Sequence, residues 1–89
     1  MEVTPVKRTI LYKWIEKVLS INGELTAREI AVILHNKGVV AYPIRDSCQP
    51  RLTELCKLGR VVVCGSKVDP TTHKRVSVYS LRERNMEDV

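Results

Sequence analysis

The chain has 89 residues, of which 44% are hydrophobic and 28% are charged, and its net charge at pH 7 is +5. This length and composition are typical of one globular domain and argue against a disordered chain. The apolar runs are far shorter than the roughly 20 residues that span a bilayer, and no basic and then apolar leader opens the chain. We therefore expect a single cytoplasmic domain that does not enter a membrane.

Three cysteines, Cys48, Cys56 and Cys64, are spaced evenly, but no pair has the Cys-x-x-Cys spacing of zinc ligands. We therefore expect reduced thiols, with no metal and no cofactor. The chain also lacks a Gly-x-x-x-x-Gly-Lys phosphate loop, a His-Glu-x-x-His motif and a nucleophile elbow. The sequence predicts that the protein is not an enzyme.

A first helix is predicted to open at Thr4-Pro5, because threonine caps helices and proline fits their first turn. It should end before Asn22-Gly23, a pair that accepts left-handed backbone angles. Its apolar residues recur at steps of three and four: Val6, Ile10, Leu11, Trp14, Ile15, Val18 and Leu19. Tyr12 falls outside this face, so we expect it to be exposed and to offer a contact for a dimer.

A second helix is predicted to begin at Ala27, because Thr26 and Glu29 have the spacing of a capping box. Gly38 should end it. Residues 38–43 then form a connector, since Pro43 keeps the residue before it out of helical geometry.

The third predicted helix runs to Leu58, with Leu52, Leu55 and Leu58 packed on the core and Gly59 as a left-handed terminator. Pro50 limits where this helix can begin, because proline is tolerated only in a first turn. We favour Ser47 as the cap, or a first turn that is loose.

Two strands are predicted after this helix, at Arg60–Cys64 and Arg75–Leu81, with a polar loop of residues 65–74 between them. The core of the domain would span residues 4–82. The charged tail of residues 83–89 is expected to fray.

The stretch from Pro50-Arg51-Leu52-Thr53-Glu54-Leu55 through Lys57-Leu58-Gly59 into the valine strand resembles the winged helix-turn-helix family of DNA-binding domains. The resemblance covers about residues 4–82 and is typical of bacterial and bacteriophage proteins. It implies an α+β fold of three helices followed by a two-stranded β-hairpin wing. Glu24-Leu25 would match the family's short first strand, which pairs with the edge of the hairpin.

The resemblance implies double-stranded DNA as the partner, with residues 47–58 as the recognition helix and residues 65–75 as the wing. The expected role is a small regulator of transcription or of another DNA transaction, located at the nucleoid and acting as a homodimer. An arginine can read guanine and Gln49 could read adenine, and residues 45–75 carry seven Lys or Arg against three acids. The expected contacts are Arg45, Ser47, Gln49, Arg51, Thr53, Lys67, His73, Lys74 and Arg75.

Other interpretations fit the same residues. Arg51 could pair with Glu54 or Asp46 within its helix, and lysines of the wing could simply be solvated. Pro50 interrupts the regular surface of the third helix, and the two acids would repel phosphate. These features favour the alternative, a protein-binding winged-helix adaptor or an inhibitor of a host or partner protein.

Overall fold

The computed structural model describes residues 8–82 and has the α+β class that the sequence predicts. Its elements are α1 (Arg8–Asn22), β1 (Glu24–Thr26), α2 (Ala27–Asn36), α3 (Gln49–Lys57), β2 (Val61–Val68) and β3 (Arg75–Leu81). The predicted opening of the first helix at Thr4-Pro5 and the tail of residues 83–89 lie outside the described residues. Between residues 8 and 82, no helix has both the length and the apolar character needed to cross a bilayer.

The sheet has three antiparallel strands in the order β1-β3-β2, rather than the two strands of the predicted hairpin. Tyr79, in the central strand β3, lies opposite Leu25 of β1 and Val63 of β2. The additional strand forms because Gly23, with φ of 88°, turns the chain sharply after α1 and directs β1 toward β3. The short strand expected at Glu24-Leu25 beside the hairpin is therefore present as β1.

The hairpin is longer than the sequence predicts. Strand β2 continues past Cys64 to Val68, because Ser66, Lys67 and Val68 pair with residues of β3 after a bulge between Val63 and Gly65. A bulge inserts an extra residue without ending the pairing. The connecting loop is consequently residues 69–74, not residues 65–74.

The three helices pack together over the sheet in one aliphatic core. Its largest fully buried side chains include Ile15, Leu19, Ile30, Leu34, Leu52 and Leu55. Tyr12, which we expected to be exposed, is buried with 8% exposure, so it cannot be a surface contact for a dimer. Trp14 is only partly buried at the edge of the core, and Ile10 is 46% exposed.

The predicted start of α2 is confirmed. The backbone N–H of Glu29 donates to Oγ1 of Thr26 at 3.2 Å, and the backbone N–H of Thr26 donates to Oε1 of Glu29 at 2.8 Å. This reciprocal pair is a capping box, and it fixes the N-terminal end of the helix next to the sheet.

The predicted cap of α3 at Ser47 is wrong. Residues Arg45–Ser47 form a short 3₁₀ turn, and the hydroxyl of Ser47 donates to the carbonyl of Tyr42 at 2.7 Å instead of capping the helix. The α-helix begins at Gln49, so Pro50 lies in its first turn, where no backbone bond is lost. The 3₁₀ turn corresponds to the loose first turn that we considered for this helix.

The end of α3 also differs from the prediction. The last helical residue is Lys57, so Leu58 lies beyond the helix and is 59% exposed instead of packing on the core. Gly59 is a left-handed terminator as predicted, with φ of 77°.

Candidate functional site

A cleft of about 510 Å³ separates the start of α3 from the hairpin, and we call it the α3–hairpin cleft. The 3₁₀ turn and Gln49 form one wall, while β3 and its loop form the other, with the first residues of α2 between them. The charged side chains in its lining are four basic and two acidic: Arg28, Arg45, Lys74, Arg75, Asp46 and Asp69. The lining therefore carries a positive balance.

Three of the residues expected to contact DNA, two of them in the helical wall, are joined by hydrogen bonds. The Nε of Arg45 donates to Oε1 of Gln49 at 3.2 Å, and Nε2 of Gln49 is 3.4 Å from Oγ1 of Thr53. Nε2 of Gln49 also donates to the hydroxyl of Tyr79 at 2.9 Å. Sequence reasoning placed Tyr79 only within the predicted strand Arg75–Leu81, because nothing in the local pattern brings its hydroxyl next to α3.

The hairpin wall is organised by Asp69. Its Oδ1 accepts from the backbone N–H of Thr71 at 2.7 Å and of Thr72 at 3.3 Å, and its Oδ2 accepts from Nε of Arg28 at 3.1 Å. The backbone of Asp69 also accepts from His73 and donates to the carbonyl of Lys74. These bonds fix the loop against α2 and hold Lys74 beside the cleft.

The carboxylate of Asp69 is stabilised in its charged form. The hydrogen bond from the backbone of Thr71 is the main cause that lowers the pKa of Asp69, and the nearby Arg28 guanidinium lowers it further. Sequence reasoning placed Asp69 only within the polar loop of residues 65–74 and missed Arg28. The contact joins residues that are 41 positions apart, so no local pattern indicates it.

Four of the nine expected contact residues line the α3–hairpin cleft: Arg45, Gln49, Lys74 and Arg75. The other five, Ser47, Arg51, Thr53, Lys67 and His73, lie outside its lining. Nε and Nη2 of Arg51 donate to Glu54 at 2.8 and 3.1 Å, which is one of the two pairings considered for it. Lys67 pairs with Glu29 at 2.7 Å, so its charge is offset within the protein.

The basic residues of the cleft differ in how they are paired. Among residues 8–82, Arg45, Lys74 and Arg75 form no salt bridge, whereas Arg28 pairs with Asp69. Arg75 instead donates from Nη1 to the hydroxyl of Ser66 at 3.0 Å. Three cations therefore face the cleft with no carboxylate bound to them in the described part of the chain.

A second surface is formed by β2, which lies at an edge of the sheet. Its side chains of Val63 and Val68 are 54% and 52% exposed. The cations at its two ends are neutralised, because Arg60 pairs with Glu16 at 2.6 Å and Lys67 pairs with Glu29. This edge is therefore apolar and carries little net charge.

The three cysteines are free thiols in different surroundings. Cys48 is buried, and burial raises its pKa to about 11. Cys56 is partly buried, which also raises its pKa, and Cys64 is exposed on β2. Within residues 8–82, no group of three or more His, Cys, Asp or Glu side chains is arranged to hold a metal ion.

A scan against protein-family models, a search of curated proteins and a search of solved structures each found no match to this chain.

Proposed function

We propose that the protein binds double-stranded DNA as a winged-helix domain, with α3 as its recognition helix and the β2–β3 hairpin as its wing. The observation that carries this proposal is the α3–hairpin cleft, where Arg45, Lys74 and Arg75 have no acidic partner among residues 8–82. Cations that are not neutralised within the protein are available to phosphates, which supply most of the affinity for DNA.

The dimensions support this function. An α-helix with its side chains is about 10–12 Å in diameter, so the major groove, which is about 12 Å wide, admits α3. With α3 in the groove, the hairpin wall would lie along the adjacent phosphates, where Lys74 and Arg75 could bind them. The order of the helices and the place of β1 beside β3 resemble the winged-helix arrangement.

The proposal is tested by titrating the protein into a fluorescent duplex at about 50 and 200 mM salt. Lys74→Ala should weaken binding and reduce the slope of log affinity against log salt by about 0.9, the effect of one lost phosphate contact. Lys13→Ala is the matched control, because Lys13 is an exposed cation of α1 outside the cleft lining. A folded protein that binds no duplex at low salt would disprove the function and leave the protein-binding adaptor as the alternative.

A homodimer needs a contact other than Tyr12, which is buried. We propose that a second copy pairs with the edge of β2, because two copies of a basic chain repel each other except where their surfaces are neutral. The long, exposed and apolar edge of β2 satisfies that condition, and such edges are prone to pair with another strand. The two-fold pairing would give each dimer two copies of α3 for two successive half-sites on DNA.

Sedimentation velocity at increasing protein concentration tests the dimer. Val63→Thr keeps the branched shape of an exposed β2 side chain but makes it polar, and it should shift the protein toward the monomer. Val32→Thr makes the same change on α2, where Val32 is 39% exposed, and should leave the assembly unchanged. A wild-type protein that stays monomeric throughout would contradict the pairing.

A further inference from the structure

The side chain of Gln49 is held at both ends of its amide. Its Nε2 donates to the hydroxyl of Tyr79 at 2.9 Å and lies 3.4 Å from Oγ1 of Thr53, while its Oε1 accepts from Nε of Arg45 at 3.2 Å. Tyr79 is only 6% exposed and is paired with strands on both sides. A buried side chain of the central strand therefore fixes the orientation of an amide on the surface.

This arrangement disfavours the adenine contact expected of Gln49. Reading adenine requires the carbonyl and the amino group of a glutamine at the same time. In Gln49 the carbonyl already accepts from Arg45, and the amino group already donates to Tyr79. The carbonyl keeps one further lone pair and the amino group one further N–H, but an adenine would have to compete with Arg45 and Tyr79 for the orientation of the amide.

The same arrangement leaves the two Nη groups of Arg45 available to a ligand. Only its Nε is engaged by Gln49, and no hydrogen bond or salt bridge involves its two Nη groups among residues 8–82. Asp46 also lines the cleft, but it forms no salt bridge with Arg45. Two parallel N–H donors in one plane match the O6 and N7 acceptors of guanine in the major groove.

The hydrogen bond from Arg45 to Gln49 favours a contact with a base over a simple phosphate contact. A phosphate can be bound by a cation in many orientations, as a lysine does, whereas a bidentate contact to guanine requires a guanidinium plane of defined direction. The chain from Tyr79 through Gln49 supplies that direction from a rigid strand, as precise recognition sites require.

We propose that Arg45 reads a guanine in the major groove and that Gln49 and Tyr79 are positioning residues for it. This inference rests on the proposed DNA-binding function and names the base that the site selects. Sequence preference then originates at the 3₁₀ turn before α3, while Lys74 and Arg75 supply affinity that does not depend on sequence.

The test begins with selection of bound duplexes from a pool with a randomised centre, using the full-length protein. The selected pool should be enriched in guanine at one position. Replacing that guanine by another base should weaken binding about five- to 150-fold, the range for a bidentate contact, and replacing it by 7-deazaguanine should weaken binding less, since only N7 is lost. Arg45→Ala should abolish both effects.

The positioning role has its own measurement. Tyr79→Phe keeps the buried ring but removes the hydroxyl, and it should reduce the preference for guanine without changing the salt slope; Gln49→Ala should do the same from the surface if the Phe variant proves unstable. Lys74→Ala is the opposite control, with a reduced salt slope and an intact preference. Thermal unfolding verifies that each variant is folded.

The outcomes separate the two proposals. Binding without any base preference, or a guanine preference that survives Arg45→Ala, would overturn the role of Arg45 while the DNA-binding function stands. A preference that is unchanged in both Tyr79→Phe and Gln49→Ala would overturn the positioning role. A folded protein that binds no duplex would overturn the proposed function and this inference with it.

Discussion

Tyr12 of α1 donates a 2.6 Å hydrogen bond to Oε1 of Glu54 in α3, which joins two helices across 42 positions of the chain. The same carboxylate accepts from Arg51 and lies 3.5 Å from Nε of Arg8. The bond from Tyr12 is the main cause that lowers the pKa of Glu54, and it raises the pKa of Tyr12. Glu54 therefore remains ionised and keeps Arg51 bound on the surface of α3.

This relationship predicts how Glu54 affects DNA binding. Glu54→Gln removes the negative charge and frees Arg51 for phosphate, so we expect tighter duplex binding and a salt slope steeper by about 0.9. Glu16→Gln is the matched control. It removes the carboxylate of α1 whose Oε1 lies 2.6 Å from Nη2 of Arg60, and so it also frees an arginine. Fluorescence titrations at several salt concentrations measure both slopes. Equal changes in the two variants would indicate a general charge effect and would exclude a contact by Arg51.

Local signals in the sequence predict the ends of elements well, because the interacting groups lie within a few residues of each other. The capping box of Thr26 and Glu29 is confirmed for this reason. Contacts between distant residues have no such signal. The hydroxyl of the buried Tyr12 finds its partner in Glu54, and the loop carboxylate of Asp69 finds one in Arg28, so neither contact could be derived from spacing alone.

At the candidate site, too, the local features could be predicted and the contacts between distant residues could not. The sequence indicates Arg45 and Gln49 as polar residues near the start of α3, but it does not reveal the hydrogen bond from Gln49 to Tyr79, because the two residues are 30 positions apart. The position of Pro50 also favoured Ser47 as the helix cap. In the structure the hydroxyl of Ser47 donates to the carbonyl of Tyr42, and Cys48 is the residue that precedes the helix.

Leu52 and Leu58 provide a test of the corrected helix end. Both lie on the same predicted apolar face, yet Leu52 is fully buried and Leu58 is 59% exposed. Leu52→Ala should lower the free energy of unfolding by about 2–5 kcal/mol, through lost burial and a cavity. Leu58→Ala should change it by less than about 0.5 kcal/mol, as surface substitutions do. Urea unfolding followed by circular dichroism measures both, and a similar cost for the two variants would contradict the exposure of Leu58.

The carboxylate of Asp69 should make the stability of the protein depend on pH. Because its pKa in the folded protein lies below its usual value of about 3.9, its contribution is present above that value and is lost as pH falls through the lower folded pKa. Asp69→Asn should therefore lower the urea midpoint at pH 7. The difference from wild type should shrink as the pH falls below about 3.9, since the unfolded chain then takes up a proton that the folded carboxylate resists, and it should be lost once the folded carboxylate is protonated as well.

The control for this prediction is Asp46→Asn. Asp46 lines the same cleft and is exposed, but it forms no salt bridge among residues 8–82. Its variant should keep the wild-type midpoint at pH 7. If both variants lose the same stability, the effect belongs to the charge of the cleft and not to the hydrogen bonds that Asp69 makes with Thr71 and Thr72.

We expect the three thiols to react with a thiol reagent at three different rates at pH 8. Cys64 is exposed on β2 and should react first, whereas Cys56 is partly buried and should react more slowly. Cys48 should react only when the protein unfolds, because it is fully buried and its pKa is about 11, so almost no thiolate is present. Stopped-flow absorbance counts the thiols in each phase, and Cys64→Ser should remove the fast phase alone. A fast phase that persists in this variant would contradict the assignment of that phase to Cys64.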